Sequence, residues 1–243
     1  MSHGKQFTLY SALVGVNAWK VVIVLEDLGL TYETVNLDLR KKEQKLPAYT
    51  SINPNGQVPA LIDHHNRDFT VWDSCACMTY LVEKYDTEHK LSVESLEERM
   101  SMLQWMHFQN CCQGTMLVEL FCFAFVMPEK STLALKRYHG EIIRAYSVLE
   151  SALKGLKEND GSDWLVGGKV TIADLGFVIW THMTPFLMST YEGRFNLHED
   201  YPFVSAWHRR MAEIPVVKKV LDSYDQANRG LSSRLKQQNA RAS

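Results

Sequence analysis

No stretch of this sequence is apolar for long enough to cross a bilayer. The most apolar run, Met116 to Met127, is broken by Glu119 and falls well short of the ~20 residues that a spanning helix needs, so it reads as a buried helix. Basic runs with interleaved aromatics are missing as well, and the formal net charge is −2. Nucleic-acid binding therefore lacks its electrostatic footprint. The first residues, MSHGKQFTLY, hold no apolar core of leader length. Five cysteines leave at least one thiol unpaired in any disulfide scheme, and the expected compartment is the cytoplasm.

Metal-ligand patterns are absent too. One residue separates Cys75 from Cys77, and Cys111 and Cys112 are adjacent; neither spacing suits a CxxC redox pair or the usual zinc sites. The nine histidines form no HExxH pair. No metal is expected, and most of the cysteines read as small buried side chains. There is no internal repeat, and the residues after Tyr224, ending RLKQQNARAS, are polar and without periodicity, as in a frayed tail.

What is present is an ordinary globular composition, 46% hydrophobic with 26 basic and 28 acidic residues. A chain of 243 residues suits two domains better than one core. The first half alternates strand-like and helical runs, which marks an α/β domain. FTLY at 7–10 reads as a strand, residues 17–28 as a helix stopped by Gly29, and the run through Tyr32, Thr34 and Val35 as a second strand. VPALI and FTVW form a hairpin, in which Pro59 needs an edge, an irregular position or a cis peptide after Val58. Asp73 and Ser74 then precede a helix in CACMTYLVEKY.

The polar stretch DTEHKLSVES reads as a linker. Helical periodicity continues in 94–126, 131–157, 171–188, 202–212 and 215–226. The expected domains are thus residues 1–86 and 94–226, with a polar tail at 227–243. In TIAD, Thr171 and Asp174 have capping-box spacing and an architectural role. Asp73 and Ser74 are open to two uses: they cap a helix, or with its first amides they form an anion site.

NPNGQVPALID, then WDS at 72–74, then WLVGGKVTIADL at 164–175 occur in the order and spacing seen in cytosolic glutathione transferases. The resemblance extends over almost the whole chain. FTLYSALVGVNAWKVVIVLEDLGLTYETVNLDL resembles the first β-α-β unit of the fungal branch related to a yeast nitrogen-catabolism regulator, without that regulator's long polar N-terminal extension. The resemblance implies a thioredoxin-like α/β domain that binds glutathione, succeeded by an all-α domain that supplies an apolar pocket for an electrophilic small molecule. It also implies a homodimer.

The resemblance assigns site residues position by position. Val58, before Pro59, would pair its main chain with the cysteinyl part of glutathione. Ser74 and the amides after it would take the γ-glutamyl carboxylate, and Asp73 its ammonium. Gln44 and Gln57 would contact the glycyl end, with a solvated role open for Gln44 and Lys45 a competing donor. The pocket wall would include Phe108, Cys112, Met116 and Phe123, with Gln109, Asn110 and Gln113 nearby; plain helix packing is an equal alternative for each.

The chemistry requires a thiolate, since a thiol of pKa ~8.5 is a poor nucleophile at neutral pH. SALVGVNAWK has Asn17 where an isomerase-like branch carries cysteine, which makes Asn17 the first candidate to stabilise the sulfur. Ser11 is the second, and Tyr10 belongs to the strand. An amide donates but is no base, so the thiol proton leaves to water or buffer. Three functions are compatible with this site: a transferase acting on an electrophile, a glutathione-dependent cis-trans isomerase in a secondary-metabolite pathway, and a glutathione-binding regulator without turnover.

Overall fold

The computed structural model describes residues 4–129 and 131–230. These form two compact units: Val93–Ile214 belong to the second, and Pro215–Ala227 join the residues up to Ser92 in the first.

The first unit is built on a sheet of four strands, β1 (Phe7–Ser11), β2 (Tyr32–Asn36), β3 (Ala60–Asp63) and β4 (Phe69–Trp72), in the order β2-β1-β3-β4. The β1–β2 pair is parallel and the other two are antiparallel. A parallel pair needs a crossover, supplied by α1 (Val16–Asp27). Phe7 and Leu9 alternate along β1 and are fully buried, as are Val21, Val24 and Leu25 of α1. The charged connection after β2 carries two 3-10 turns and a short helix, α2 (Pro47–Thr50). After β4 comes α3 (Ser74–Tyr85), packed on α1. Asp63, fully buried at the end of β3, anchors α3 to the sheet by accepting the hydroxyls of Tyr80 and Tyr85. The Val58–Pro59 peptide is cis.

The second unit is all helical. Its first helix runs without a break as α4 (Leu96–Phe108), a π-helical stretch over Gln109–Gly114, α5 (Thr115–Phe121) and a second π-helical stretch over Cys122–Val126. Each π turn inserts an extra residue and rotates the remainder of the helix, a change of phase that the sequence periodicity does not carry. Then come α6 (Thr132–Asp160), α7 (Ile172–Leu175), α8 (Val178–Leu187), α9 (Leu197–Asp200) and α10 (Pro202–Glu213). The TIAD capping box is formed, and Asp174, fully buried, also accepts the Leu165 amide and the Trp207 indole N–H.

One assignment differs from the expected domains. The last helix, α11 (Pro215–Ala227), packs on α1 in the first unit, not with the helical unit. Its apolar stripe, Val217, Val220, Leu221 and Tyr224, is buried there, and Lys219 reaches Glu26 of α1 at 2.6 Å. The expected tail at 227–243 lies mostly outside the described residues. No helix among them is long and apolar enough to cross a membrane.

Candidate functional site

The order of the strands brings four segments of the first unit together. Ala60, the first residue of β3, pairs with Trp72, the last of β4, and with Tyr10 near the end of β1. The cis-proline loop before β3, the Asp73–Ser74 turn after β4 and the loop from β1 into α1 therefore meet at one end of the sheet. Gly15 marks their closest approach: a Cβ there would lie 3.0 Å from the Ala12 carbonyl oxygen and 3.3 Å from Val58 Cγ2. Gly56, with φ +61°, sits equally close to the fourth segment, since its Cβ would stand 2.9 Å from the Gln44 carbonyl oxygen.

The Asp73–Ser74 turn is strained. Asp73 has φ 73° and ψ 134°, a region that costs a non-glycine residue about 1–3 kcal/mol. Its carboxylate accepts the amides of Cys75 at 2.9 Å and Ala76 at 3.2 Å, so it caps α3. Ser74 is only 1% exposed, and its hydroxyl has no hydrogen-bond partner. A buried hydroxyl left unpaired costs about 1–3 kcal/mol. An acceptor arriving at the N-terminus of α3 would remove that cost and meet a favourable helix dipole.

The cis-proline loop is held from below. The Gln57 carbonyl accepts from Tyr49 Oη and from Asn53 Nδ2, both at 2.6 Å. These fixings leave the Gln57 side chain exposed and Val58 half-buried. The Gln44 Oε1 atom is enclosed without a partner, and Lys45 Nζ donates to the Asn55 carbonyl at 3.2 Å. Gln44, Gln57, Val58, Pro59, Asp73 and Ser74 thus gather on adjoining segments.

The two thiolate candidates occupy different settings. Asn17 lies half-buried in the first turn of α1. Ser11 is buried at the end of β1, where its hydroxyl turns to the neighbouring Ala12 carbonyl at 3.4 Å. Tyr10 packs its ring 5.4 Å from that of Tyr49.

In the helical unit the four pocket candidates lie along the first helix and its π-helical stretches. Phe108 is half-buried between Trp105, at 5.6 Å, and Phe177, at 6.5 Å. Cys112 lies within electrostatic reach of Arg144 of α6, and Phe123 lies 5.5 Å from Tyr138 of the same helix. Met116 is half-buried. Gln109 and Gln113 are fully buried in a polar network, in which Gln113 Nε2 donates to Tyr146 Oη at 3.1 Å and Thr181 Oγ1 at 3.0 Å. They serve the interior of the unit. Among the described residues no three His, Cys, Asp or Glu side chains gather to hold a metal.

Residues 5–83 match the family model for the glutathione S-transferase N-terminal domain, and residues 115–215 that for its C-terminal domain. The chain belongs to the glutathione S-transferase family. It is 38% identical over 232 residues to glutathione S-transferase 1 of Schizosaccharomyces pombe, covering 91% of this chain and 98% of that one. It is 32% identical over 244 residues to the transcriptional regulator URE2 of Saccharomyces cerevisiae, covering 88% and 67% respectively. The crystal structure of the glutathione transferase URE2P6 from Phanerochaete chrysosporium in complex with oxidized glutathione aligns with a TM-score of 0.85 at 44% identity, over 93% of this chain and 100% of that one. These findings match the expected fold, a mixed four-stranded domain joined to a helical one. Two features of the site went unread in the sequence: the Tyr49–Asn53 clamp and Gly15.

Proposed function

We propose that this protein is a glutathione transferase that binds glutathione on its first unit and directs the thiolate at an apolar electrophile. The observation that carries the reading is the buried, unpartnered Ser74 hydroxyl at the N-terminus of α3. It is built to donate to a carboxylate. Val58 offers main-chain groups to a peptide, and Gln44 and Gln57 amides to the glycyl end, where rotation of the Gln44 amide would turn a donor into the enclosed position. Asn17 Nδ2 donates to the sulfur. Lowering a thiol pKa by about two units takes roughly 2.7 kcal/mol of preferential stabilisation of the anion, which a first-turn amide donor and the α1 dipole can supply in large part. The test is calorimetric titration with glutathione together with turnover of a generic aryl halide. A protein that neither binds glutathione nor conjugates the halide would refute it.

A second reading rests on Asn17 itself. A thiolate that adds reversibly to a conjugated enone makes the double bond single, permits rotation and is released again, and this cycle needs no acid-base side chain at the sulfur. Incubation with enones and catalytic glutathione separates the two: isomer without net loss of glutathione supports an isomerase in a secondary-metabolite pathway, and one-for-one consumption supports the transferase. Glutathione binding with neither activity would point to a regulator, the role named for the URE2 relative. We place the protein in the cytoplasm as a homodimer without a metal. Light scattering at micromolar concentration should return twice the chain mass of 27.9 kDa.

A further inference from the structure

Lys20 is the one lysine in the apolar stripe of α1, between Val16 and Val24, and its side chain has no exposed surface. Burying an ammonium costs several kcal/mol unless an anion and hydrogen bonds compensate it. Long side chains on a helix lean toward its N-terminus, which here is the turn carrying Asn17, and α1 packs on α3. The groups in electrostatic reach of the ammonium are Cys75, Asp73 and Cys77, all at the N-terminus of α3. Asp73 is the carboxylate among them. Burial pulls the lysine below its ordinary pKa, and these neighbours oppose that fall.

A lone cation at a helix N-terminus would be repelled by the dipole. Asp73 resolves the conflict, because its carboxylate caps the amides of Cys75 and Ala76 and lies within electrostatic reach of the ammonium. Its backbone is held at φ 73°, a conformation that persists only where the surroundings over-determine it. A buried counter-charge is such a constraint.

We propose that Lys20 is a positioning residue for glutathione: by holding the Asp73 carboxylate it fixes the strained Asp73–Ser74 turn and keeps the Ser74 hydroxyl directed at the γ-glutamyl carboxylate. The proposal rests on the glutathione reading above. It makes Lys20 act through Asp73 and Ser74, without touching the ligand.

The test is a cycle of full-length variants, wild type, Lys20→Met, Ser74→Ala and the double variant, titrated calorimetrically with glutathione and melted in parallel. Lys20→Met and Ser74→Ala should each weaken binding about tenfold or more, and the double variant should bind no worse than the weaker single one. Lys20→Arg should recover part of the loss. A merely structural lysine would lower the melting temperature and leave the affinity of the folded protein unchanged, and that result, or losses that multiply in the double variant, would overturn the proposal. If Lys20→Met does not fold, Lys20→Met/Asp73→Asn removes both charges and should fold; wild-type glutathione affinity in that variant would also overturn it. Where Ser74→Ala weakens binding and Lys20→Met does not, only the role of Lys20 fails. Where wild type does not bind glutathione, the reading of the site and this proposal fail together.

Discussion

Trp19 and Tyr224 meet edge to face, with ring centroids 5.7 Å apart and planes at 88°. One ring stands two residues beyond Asn17 on α1, and the other is buried on α11, the last described helix. Trp19 Nε1 also donates to the Leu13 carbonyl at 3.3 Å, so the loop into α1 is tied through this indole to the C-terminal helix. Tyr224→Ala empties a fully enclosed aromatic site and should cost about 3–5 kcal/mol. Hydrogen exchange should show the loss in α1 and the sheet, and protection in α6 and α8 should be unchanged.

That contact also shows what the sequence could convey. The stripe Val217, Val220, Leu221 and Tyr224 marks an amphipathic helix, but a stripe does not say which partner it faces. The β3–β4 hairpin was legible because the alternation in VPALI and FTVW constrains it locally. The Asp73–Ser74 turn was legible only as a choice between a cap and an anion site. The fold realises the cap and leaves the Ser74 hydroxyl over, which depends on a backbone conformation that no residue type announces. The π turns at Gln109–Gly114 and Cys122–Val126 were hidden for a related reason: they change the period on which apolar spacing is read, so the burial of Gln109 and Gln113 does not follow from that spacing.

Ser74→Ala should separate binding from folding. Because the hydroxyl has no partner in the protein, its removal should leave stability unchanged or raise it by up to about 1 kcal/mol. Glutathione affinity should fall by about 1–3 kcal/mol. Urea unfolding and calorimetric titration read the two effects, and a variant that loses stability but keeps its affinity would return Ser74 to a purely structural role.

Asn17→Ala should raise the pKa of bound glutathione and lower turnover near neutral pH. The deficit should shrink as pH approaches the ordinary thiol value of about 8.5. Ultraviolet absorbance of the bound thiolate tracks the titration directly. An unchanged curve in Asn17→Ala alongside a shifted one in Ser11→Ala would exchange the two roles.

The β3–β4 hairpin carries a stability reserve. Arg67 and Asp68 both have φ 55°, in the left-handed region that favours glycine. His64 bridges the turn to Asp68 Oδ1 at 2.5 Å and to Thr8 Oγ1 at 2.8 Å, which leaves Arg67 as the residue to change. Arg67→Gly relieves about 1 kcal/mol of left-handed strain. The urea midpoint should rise with an unchanged m-value; a fall would mean that the arginine side chain holds the hairpin.

Asp174 sets a pH dependence in the helical unit. Burial pushes its carboxyl up to about 6, against the opposing hydrogen bonds from the Leu165 amide, the Trp207 indole and the Thr171 amide and hydroxyl. A folded pKa above the unfolded value means that the native state holds the proton more tightly. The stabilisation is therefore complete below about pH 4 and is lost as pH rises through about 6, a change of about 3 kcal/mol. Asp174→Asn carries no charge and should lack this slope. It also turns an amide donor toward groups that themselves donate, so it should be less stable than wild type at pH 4.5 by several kcal/mol. The gap between the two proteins should narrow as pH rises to 8, because only wild type then bears a buried anion. Urea unfolding of both at pH 4.5, 6 and 8 measures the gap. A difference that widens with pH would mean that the four donors outweigh burial and keep Asp174 ionised throughout.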